Sequence, residues 1–207
     1  LAPINEENPA LGLRGIRLSL SNPGVFDTQL RAILRASGYG PVRLLLPMIS
    51  GREEVLAVRR RVRLIQRQLR DSGHAVSEKV ALGVMIEVPA AALAVHGFID
   101  LVDFLSVGTN DLVQYLLAAD RNNAAVAAYY HPLHPALIVL LAQLFDAGQQ
   151  AGVPVSVCGE IAGDARLVPL LLALGLREFS LHPNTLLEVR QAIRRSDLAQ
   201  LSCARPA

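Results

Sequence analysis

Residues 103–118 read DFLSVGTNDLVQYLLA, an apolar run that stops at a short polar segment before a second apolar stretch begins. The first run, 103–107, predicts a buried strand. The second predicts a helix that starts near Asp111 and continues to about Ala118. Parallel sheets are built from such units, in which each strand is followed by a helix. This stretch therefore indicates the unit from which the fold is made.

The same order of strand and helix recurs along most of the chain. The predicted strands are 15–20, 42–48, 80–86, 103–107, 154–157 and 178–181. Helical patterns follow them and begin near residues 26, 50, 90, 111, 136, 164 and 185. The longest helix is predicted to open with a capping box formed by Ser50 and Glu53, and Gly73 fits its C-terminal end.

The composition supports a fold with strands buried on both faces. Hydrophobic residues make up 52% of the chain and charged residues 18%, which argues against disorder, and the 4% of aromatic residues leaves an aliphatic core. We predict an α/β protein, with an open doubly wound sheet and a (β/α)₈ barrel of TIM-barrel type as the candidates. A whole barrel typically needs ~250 residues and eight strands, so a barrel built from about six βα units would be incomplete. No break in composition marks a linker, and residues 1–207 are predicted to be a single domain.

The charge, the apolar runs and the cysteines argue against several classes of function. A net charge of +2 is too small to indicate nucleic acid as the partner. The longest apolar runs, such as 136–145, fall short of the roughly 20 residues that a membrane span needs. Cys158 and Cys203 form neither a disulfide framework nor a zinc pattern, which predicts a cytoplasmic location. Residues 1–7 lack the features of a signal peptide.

Polar residues that could carry chemistry follow three of the predicted strands. Glu87 and Cys158 come directly after apolar strands, and Asp111 follows a third strand within a few residues. All three strand ends should lie on the same face of a parallel sheet. Two carboxylates at this position suit Mg²⁺, which commonly takes one or two carboxylates and completes its shell with water and substrate oxygens. The alternative is that Glu87 or Asp111 caps the helix that follows it.

Arg14, Arg121 and Cys158 are further candidates. The guanidinium group of either arginine could bind phosphate or carboxylate oxygens through two hydrogen bonds, although a surface ion pair is the alternative for each. Cys158 is either a small buried hydrophobic residue or a proton donor or nucleophile tuned by its neighbours. The residues alone leave these alternatives open.

Four segments resemble signatures of phosphoenolpyruvate-utilising enzymes. They are 8–17 (NPALGLRGIR), 83–89 (GVMIEVP), 106–112 (SVGTNDL) and 158–164 (CGEIAGD), and they occur in the order found in the family. The last of these, together with 120–123 (DRNN), is most similar to Enzyme I of the bacterial sugar phosphotransferase system. Pyruvate phosphate dikinase and phosphoenolpyruvate synthase share some of these elements but usually differ after the Cys-Gly pair.

The resemblance implies a (β/α)₈ barrel that binds phosphoenolpyruvate and Mg²⁺. It implies that Glu87 and Asp111 are metal ligands and that Arg14, Asn110, Asp111 and Arg121 bind the substrate, with Asn110 at the phosphate. Cys158 matches the acid that delivers a proton to the enolate and so produces pyruvate. The phosphoryl group would pass to a histidine on a separate N-terminal domain and then to a histidine-containing phosphocarrier protein, in the service of sugar transport. The family also forms homodimers through this domain.

The comparison with the family also limits what we expect of the chain. In the family, two strands precede the Asn-Pro segment and each supplies a substrate-binding arginine, and the sequence given begins after both. We therefore expect the C-terminal part of a larger multidomain phosphotransferase, which by itself binds metal or ligand weakly and does not turn over. The alternatives are a non-catalytic dimerisation or assembly module and a dikinase-like or synthase-like domain.

Overall fold

A computed structural model describes residues 6–202 of the chain. Residues 1–5 and Cys203, which entered the predictions about a signal peptide and a disulfide, lie outside the described residues. The strands are β1 (Arg43–Leu46), β2 (Ala81–Ile86), β3 (Phe104–Gly108), β4 (Val155–Cys158) and β5 (Glu178–Phe179). The helices are α1 (Gly15–Ser21), α2 (Pro23–Ala36), α3 (Arg52–Asp71), α4 (Pro89–Leu93), α5 (Thr109–Leu116), α6 (Pro135–Ala151), α7 (Glu160–Gly163), α8 (Val168–Leu174), α9 (Leu186–Arg195) and α10 (Leu198–Ser202).

The five strands form one parallel sheet in the order β1-β2-β3-β4-β5. A doubly wound sheet reverses its strand order at a switch point, and this sheet does not, so the barrel-type alternative is confirmed. Each strand lies beside its sequence neighbour because a helix crosses back over the sheet between them. Within residues 6–202 the sheet does not close, in agreement with the predicted incomplete barrel.

The core lies on both faces of the sheet, as the aliphatic composition predicts. Every residue of β3 is buried, and its Leu105 and Val107 belong to the same core cluster as Ile65 of α3 and Leu141 of α6. Burial of one such side chain stabilises the fold by about 1.5–3 kcal/mol. Among residues 6–202, no helix combines the length and apolar character that a membrane crossing requires.

The predicted first strand, 15–20, is wrong, because these residues form helix α1. The alternation of apolar and polar residues from Ile16 to Leu20 is too short to separate the two structures. At the C-terminal end of the helix, the amide of Asn22 donates a hydrogen bond to the carbonyl of Leu18. Gly15, the first residue of the helix, has a φ of 55°, a conformation that favours glycine. Within residues 6–202 the sheet therefore contains five strands and not the predicted six.

The turn after β1 also differs from the prediction. The strand ends at Leu46 because Pro47 has no amide to donate and Met48 has a φ of 58°. Helix α3 then starts after Gly51, and it is Glu54, not Glu53, that accepts from the amides of Ser50 and Gly51. The predicted capping box is thus wrong by one position, since glycine and not serine occupies the N-cap. Gly73 does end this helix, with a φ of 79°.

Candidate active site

The carboxyl ends of β2, β3 and β4 bring three predicted residues to one level of the sheet. Ile86 lies opposite Val107, and Gly108 lies opposite Cys158, so Glu87 follows directly at the edge beside Gly108. A Cβ atom on Gly108 would lie 3.1 Å from Oε2 of Glu87, so a larger residue at this position would crowd the carboxylate. The prediction that these strand ends share one edge is therefore confirmed.

Glu87 is a buried carboxylate held by the turn after β1. The residue is only 4% exposed, and its Oε1 accepts a hydrogen bond of 2.6 Å from the amide of Met48. Burial raises the pKa of Glu87; the amide of Met48 opposes this, Asp111 adds to it, and Arg14 and Arg121 oppose it. Oε2 has no hydrogen-bond partner among the described residues and is not enclosed, so it is free to bind a ligand.

Asp111 lies in the first turn of α5, between two arginines. Its Oδ1 lies 3.4 Å from Nη1 of Arg14, and its Oδ2 lies 3.6 Å from Nη1 of Arg121. Both distances are long for a charge-assisted hydrogen bond, so the arginines hold the carboxylate loosely. Each arginine side chain is about one third exposed, which leaves room for it to contact an anion at the same time.

Asn110 is fixed by the loop that follows β4. Its Oδ1 accepts from the amide of Glu160 at 3.1 Å, and its Nδ2 has no hydrogen-bond partner among residues 6–202. Gly159 allows this close approach: its φ is 101°, and a Cβ there would lie 2.8 Å from Oδ1 of Asn110. The hydroxyl of Tyr130 donates to the backbone carbonyl of Asn110. The geometry leaves Nδ2 free to donate to an anion.

Cys158 carries a half-buried thiol at the end of β4. The hydroxyl of Ser106 donates to Sγ at 3.6 Å, and Sγ lies 3.4 Å from the carbonyl oxygen of Val107. Burial raises the pKa of the Cys158 thiol; Ser106 opposes this, and Glu87 adds to it. The thiol therefore keeps its proton at neutral pH and can deliver it to a nearby base.

All six predicted site residues meet at this edge of the sheet. Arg14 and Arg121 come from segments outside the regular elements, and both reach Asp111. Sequence reasoning missed three contributors: the amide of Met48, the hydroxyl of Ser106 and the side chain of Tyr115, which contacts Arg14. The position of Tyr115, four residues after Asp111 on a predicted helix, was a signal that could have identified it.

The two carboxylates fit the site of a hard divalent cation. Among the described residues, no cluster of three or more His, Cys, Asp or Glu side chains could hold a metal ion. Mg²⁺ does not need such a cluster, because it is commonly bound by one or two carboxylates and keeps water and substrate oxygens. The free Oε2 of Glu87 and the loosely held Asp111 supply the oxygen ligands that this ion prefers.

Comparison with protein families identifies the chain over nearly its whole length. Residues 2–198 match the family described as "PEP-utilising enzyme, PEP-binding domain". The match includes every residue of the site described above.

Curated relatives support the same assignment. A phosphoenolpyruvate-protein phosphotransferase from Cupriavidus necator is 54% identical over 186 residues, which is 90% of this chain and 32% of the relative. One from Listeria monocytogenes is 44% identical over 196 residues, or 95% of this chain and 34% of the relative. The chain thus spans about a third of the length of these relatives.

Solved structures support the fold. A citrate lyase from Burkholderia xenovorans is 22% identical with a TM-score of 0.56, and the match covers 86% of this chain and 59% of that one. A malate synthase from Haloferax volcanii is 17% identical with a TM-score of 0.55, and the match covers 73% of this chain and 41% of that one. A citrate lyase β subunit from Mycobacterium tuberculosis, complexed with oxaloacetate and magnesium, is 14% identical with a TM-score of 0.51, covering 74% of this chain and 61% of that one.

Proposed function

Since this chain belongs to the family of PEP-utilising enzymes, in which it corresponds to the PEP-binding domain, we propose that it binds phosphoenolpyruvate at the carboxyl edge of its sheet. The reaction we propose is the transfer of the phosphoryl group to a protein, as in the phosphoenolpyruvate-protein phosphotransferases to which it is similar. The chain corresponds to about a third of those relatives, so it supplies the substrate site, and other parts of the whole protein supply the acceptor.

One observation carries this proposal: Arg14 and Arg121 converge on the carboxylate of Asp111, at the edge of the sheet where the carboxylate of Glu87 also lies. Arg14 and Arg121 contact opposite oxygens of Asp111, and their charges also act on Glu87. Phosphoenolpyruvate carries a phosphate and a carboxylate, and guanidinium groups bind both kinds of anion. A cation between the carboxylates and an anion against the arginines would satisfy all four groups.

We propose Mg²⁺ as the cofactor, held by Glu87 and Asp111. When bound, the ion would neutralise charge on the phosphoryl group and the enolate oxygen. The solved citrate lyase β subunit that shares the fold is a complex with magnesium and oxaloacetate, an acid related to pyruvate. The buried Glu87 accepts from the amide of Met48 through one oxygen only, which leaves the other oxygen for the ion.

The residues of the chain would divide the remaining work. Arg14 and Arg121 hold the anionic groups of the substrate, and Nδ2 of Asn110 donates to the phosphate. The P–O bond of phosphoenolpyruvate breaks as the phosphoryl group moves to a histidine nitrogen of another domain. The enolate left behind takes the proton of the Cys158 thiol at its methylene carbon and becomes pyruvate. The thiolate then regains a proton from water.

The wider system belongs to the whole protein. We propose that the acceptor is a phosphohistidine domain that serves a histidine-containing phosphocarrier protein, for sugar transport in the cytoplasm, and that the domain forms a homodimer. The names of the relatives favour this over a dikinase or synthase. A non-catalytic assembly role is the remaining alternative, and a binding measurement separates it from a substrate site.

The test is a calorimetric titration of the chain with phosphoenolpyruvate, with and without Mg²⁺. We expect weak binding that requires Mg²⁺ and that Asp111→Ala reduces by tenfold or more, because the substitution removes a metal ligand and the anchor of two arginines, a loss of about 1.4 kcal/mol or more.

The matched control is Asp100→Ala. Asp100 lies in the segment before β3, where it pairs with Arg52 in an exposed ion pair and takes part in none of the contacts described for the site. Such a pair contributes about 0–1 kcal/mol, so this variant should bind as the parent chain does. Equal binding by Asp111→Ala and Asp100→Ala would show that the metal site has been placed wrongly. No binding by any of the three proteins would favour the assembly role.

A further inference from the structure

Tyr115 contacts Arg14, although neither the motifs nor the proposed mechanism gives it a role. Its hydroxyl accepts a hydrogen bond of 3.1 Å from Nη1 of Arg14. The same Nη1 lies 3.4 Å from Oδ1 of Asp111. Asp111 and Tyr115 are four residues apart in α5 and therefore present their side chains on one face of the helix. Helix α5 thus holds one guanidinium nitrogen at two points.

The hydroxyl of Tyr115 also reaches the segment that carries Arg14. It donates to the backbone carbonyl of Ala10 and lies 3.9 Å from Sδ of Met48. A hydroxyl has one proton to donate and two lone pairs, so it can donate to Ala10 and accept from Arg14 together. The direction of both hydrogen bonds is therefore fixed, and the hydroxyl joins α5 to the segment before α1.

This second contact matters because, among residues 6–202, the guanidinium of Arg14 is held only by Asp111 and Tyr115 of α5. It lies outside α1, at its N-cap, and it is separated from Asp111 by 97 residues of chain. The ion pair with Asp111 is long, and the side chain of Arg14 is more than one third exposed. A long side chain in this position samples many rotamers, and a neutral acceptor that stays in place restricts them before an anion arrives.

We propose that Tyr115 is a positioning residue that holds the guanidinium of Arg14 over Asp111, ready for the anionic substrate. The proposal deepens the function given above and rests on it for the identity of the ligand. Tyr115 does not touch the reacting atoms. Its contribution is to the affinity for the anion, and it acts through Arg14.

Tyr115→Phe isolates the hydroxyl. The ring lines a cavity of about 670 Å³ together with Ala10 and Met48, and phenylalanine keeps that packing. We expect Tyr115→Phe to weaken the Mg²⁺-dependent binding of phosphoenolpyruvate by about tenfold. In an Arg14→Met background the same substitution should change the affinity by less than about twofold, because the group it positions is gone.

The matched control is Tyr39→Phe. Tyr39 is 94% exposed in the loop before β1, so loss of its hydroxyl should leave the affinity unchanged. A Tyr115→Phe variant that binds as well as the Tyr39→Phe variant would overturn the proposal. So would a loss of affinity that is the same whether or not Arg14 is present, because that result indicates a general structural role.

A second readout keeps this test separate from the proposed function. Guanidinium chloride unfolding of the parent chain, the two single variants and the double variant measures the coupling between Arg14 and Tyr115 without a ligand. If the two substitutions acted independently, the change in the unfolding equilibrium constant of the double variant would equal the product of the two single changes. We expect the measured change to differ from that product by about threefold or more. If the parent chain binds no phosphoenolpyruvate, the proposed function fails. In that case, a measured coupling between Arg14 and Tyr115 would still support the proposal that Tyr115 positions Arg14, and the absence of coupling would overturn it.

Discussion

Replacing Gly159 with alanine tests the packing that fixes Asn110. Gly159 has φ 101° and ψ −173°, a region of backbone conformation that is essentially restricted to glycine. Forcing another residue into such a region costs about 1–3 kcal/mol. The new Cβ would also lie 2.6 Å from Oγ1 of Thr109 and 2.8 Å from Oδ1 of Asn110. Overpacking of this kind costs about 1–3 kcal/mol.

One shift of the loop would relieve part of both costs, so we expect a combined destabilisation of about 3 kcal/mol. The assay is guanidinium chloride unfolding followed by far-UV circular dichroism. The movement would also disturb the hydrogen bond from the amide of Glu160 to Asn110. Binding of phosphoenolpyruvate should therefore weaken even under conditions in which the variant is fully folded.

Gly152→Ala is the matched control. Gly152 ends α6 with φ 68° and ψ 24°, and apart from its chain neighbours no described residue has an atom within 4 Å of the place that a Cβ would occupy. Only the left-handed backbone conformation is penalised there, at about 1 kcal/mol. A Gly159→Ala variant no less stable than Gly152→Ala would refute the close packing that we describe around Asn110.

Two further predictions concern ionisable groups at the strand ends. Burial raises the pKa of Glu87, so as the pH rises above about 4.3 this group ionises in the unfolded chain before it ionises in the folded chain. The free energy of unfolding of the metal-free chain therefore falls by about 1.4 kcal/mol for each unit by which the pKa in the folded chain exceeds that in the unfolded chain. In denaturation experiments, Glu87→Gln should raise the free energy of unfolding more at about pH 8 than at about pH 5. The exposed control Glu178→Gln should show no such difference between the two pH values. An equal change for Glu87→Gln at both pH values would contradict this prediction. Burial also raises the pKa of the Cys158 thiol, so in a Cys203→Ser background its alkylation by iodoacetamide should have a higher pH midpoint in the folded chain than in urea. Equal midpoints would rule out the buried, protonated thiol.

Much of the fold follows from local patterns. Buried parallel strands and the helices that cover them differ in the spacing of their apolar residues. The predicted strands at 80–86, 103–107 and 154–157 therefore agree with the observed strands to within one or two residues at each end. The stretch at 15–20 was the exception, because six residues of alternating character fit a strand and a short helix equally well. A proline and a residue with positive φ shortened β1, and local propensity does not reveal the second of these.

The candidate site divides in the same way. Parallel strands carry their carboxyl ends to one edge, so the sequence could place Glu87, Asp111 and Cys158 together once the strands were located. It could not show that Arg14 and Arg121 meet on Asp111, because a pattern of residues carries no distance between segments far apart in the chain. The contact between the hydroxyl of Tyr115 and Arg14 was missed for the same reason, although the helical spacing from Asp111 does place Tyr115 beside the site.

The sequence by itself determined the α/β class, the strand ends that carry polar side chains, and the family of the chain through its motifs. These properties depend on hydrogen bonds and periodicities that span a few residues. Only the tertiary structure decided which groups contact each other in the site. The amide of Met48 donates to Glu87, two arginines lie against Asp111, and the hydroxyl of Ser106 donates to Cys158. Those contacts arise when helices pack the strands side by side, and their energy depends on distance and burial that no local pattern contains.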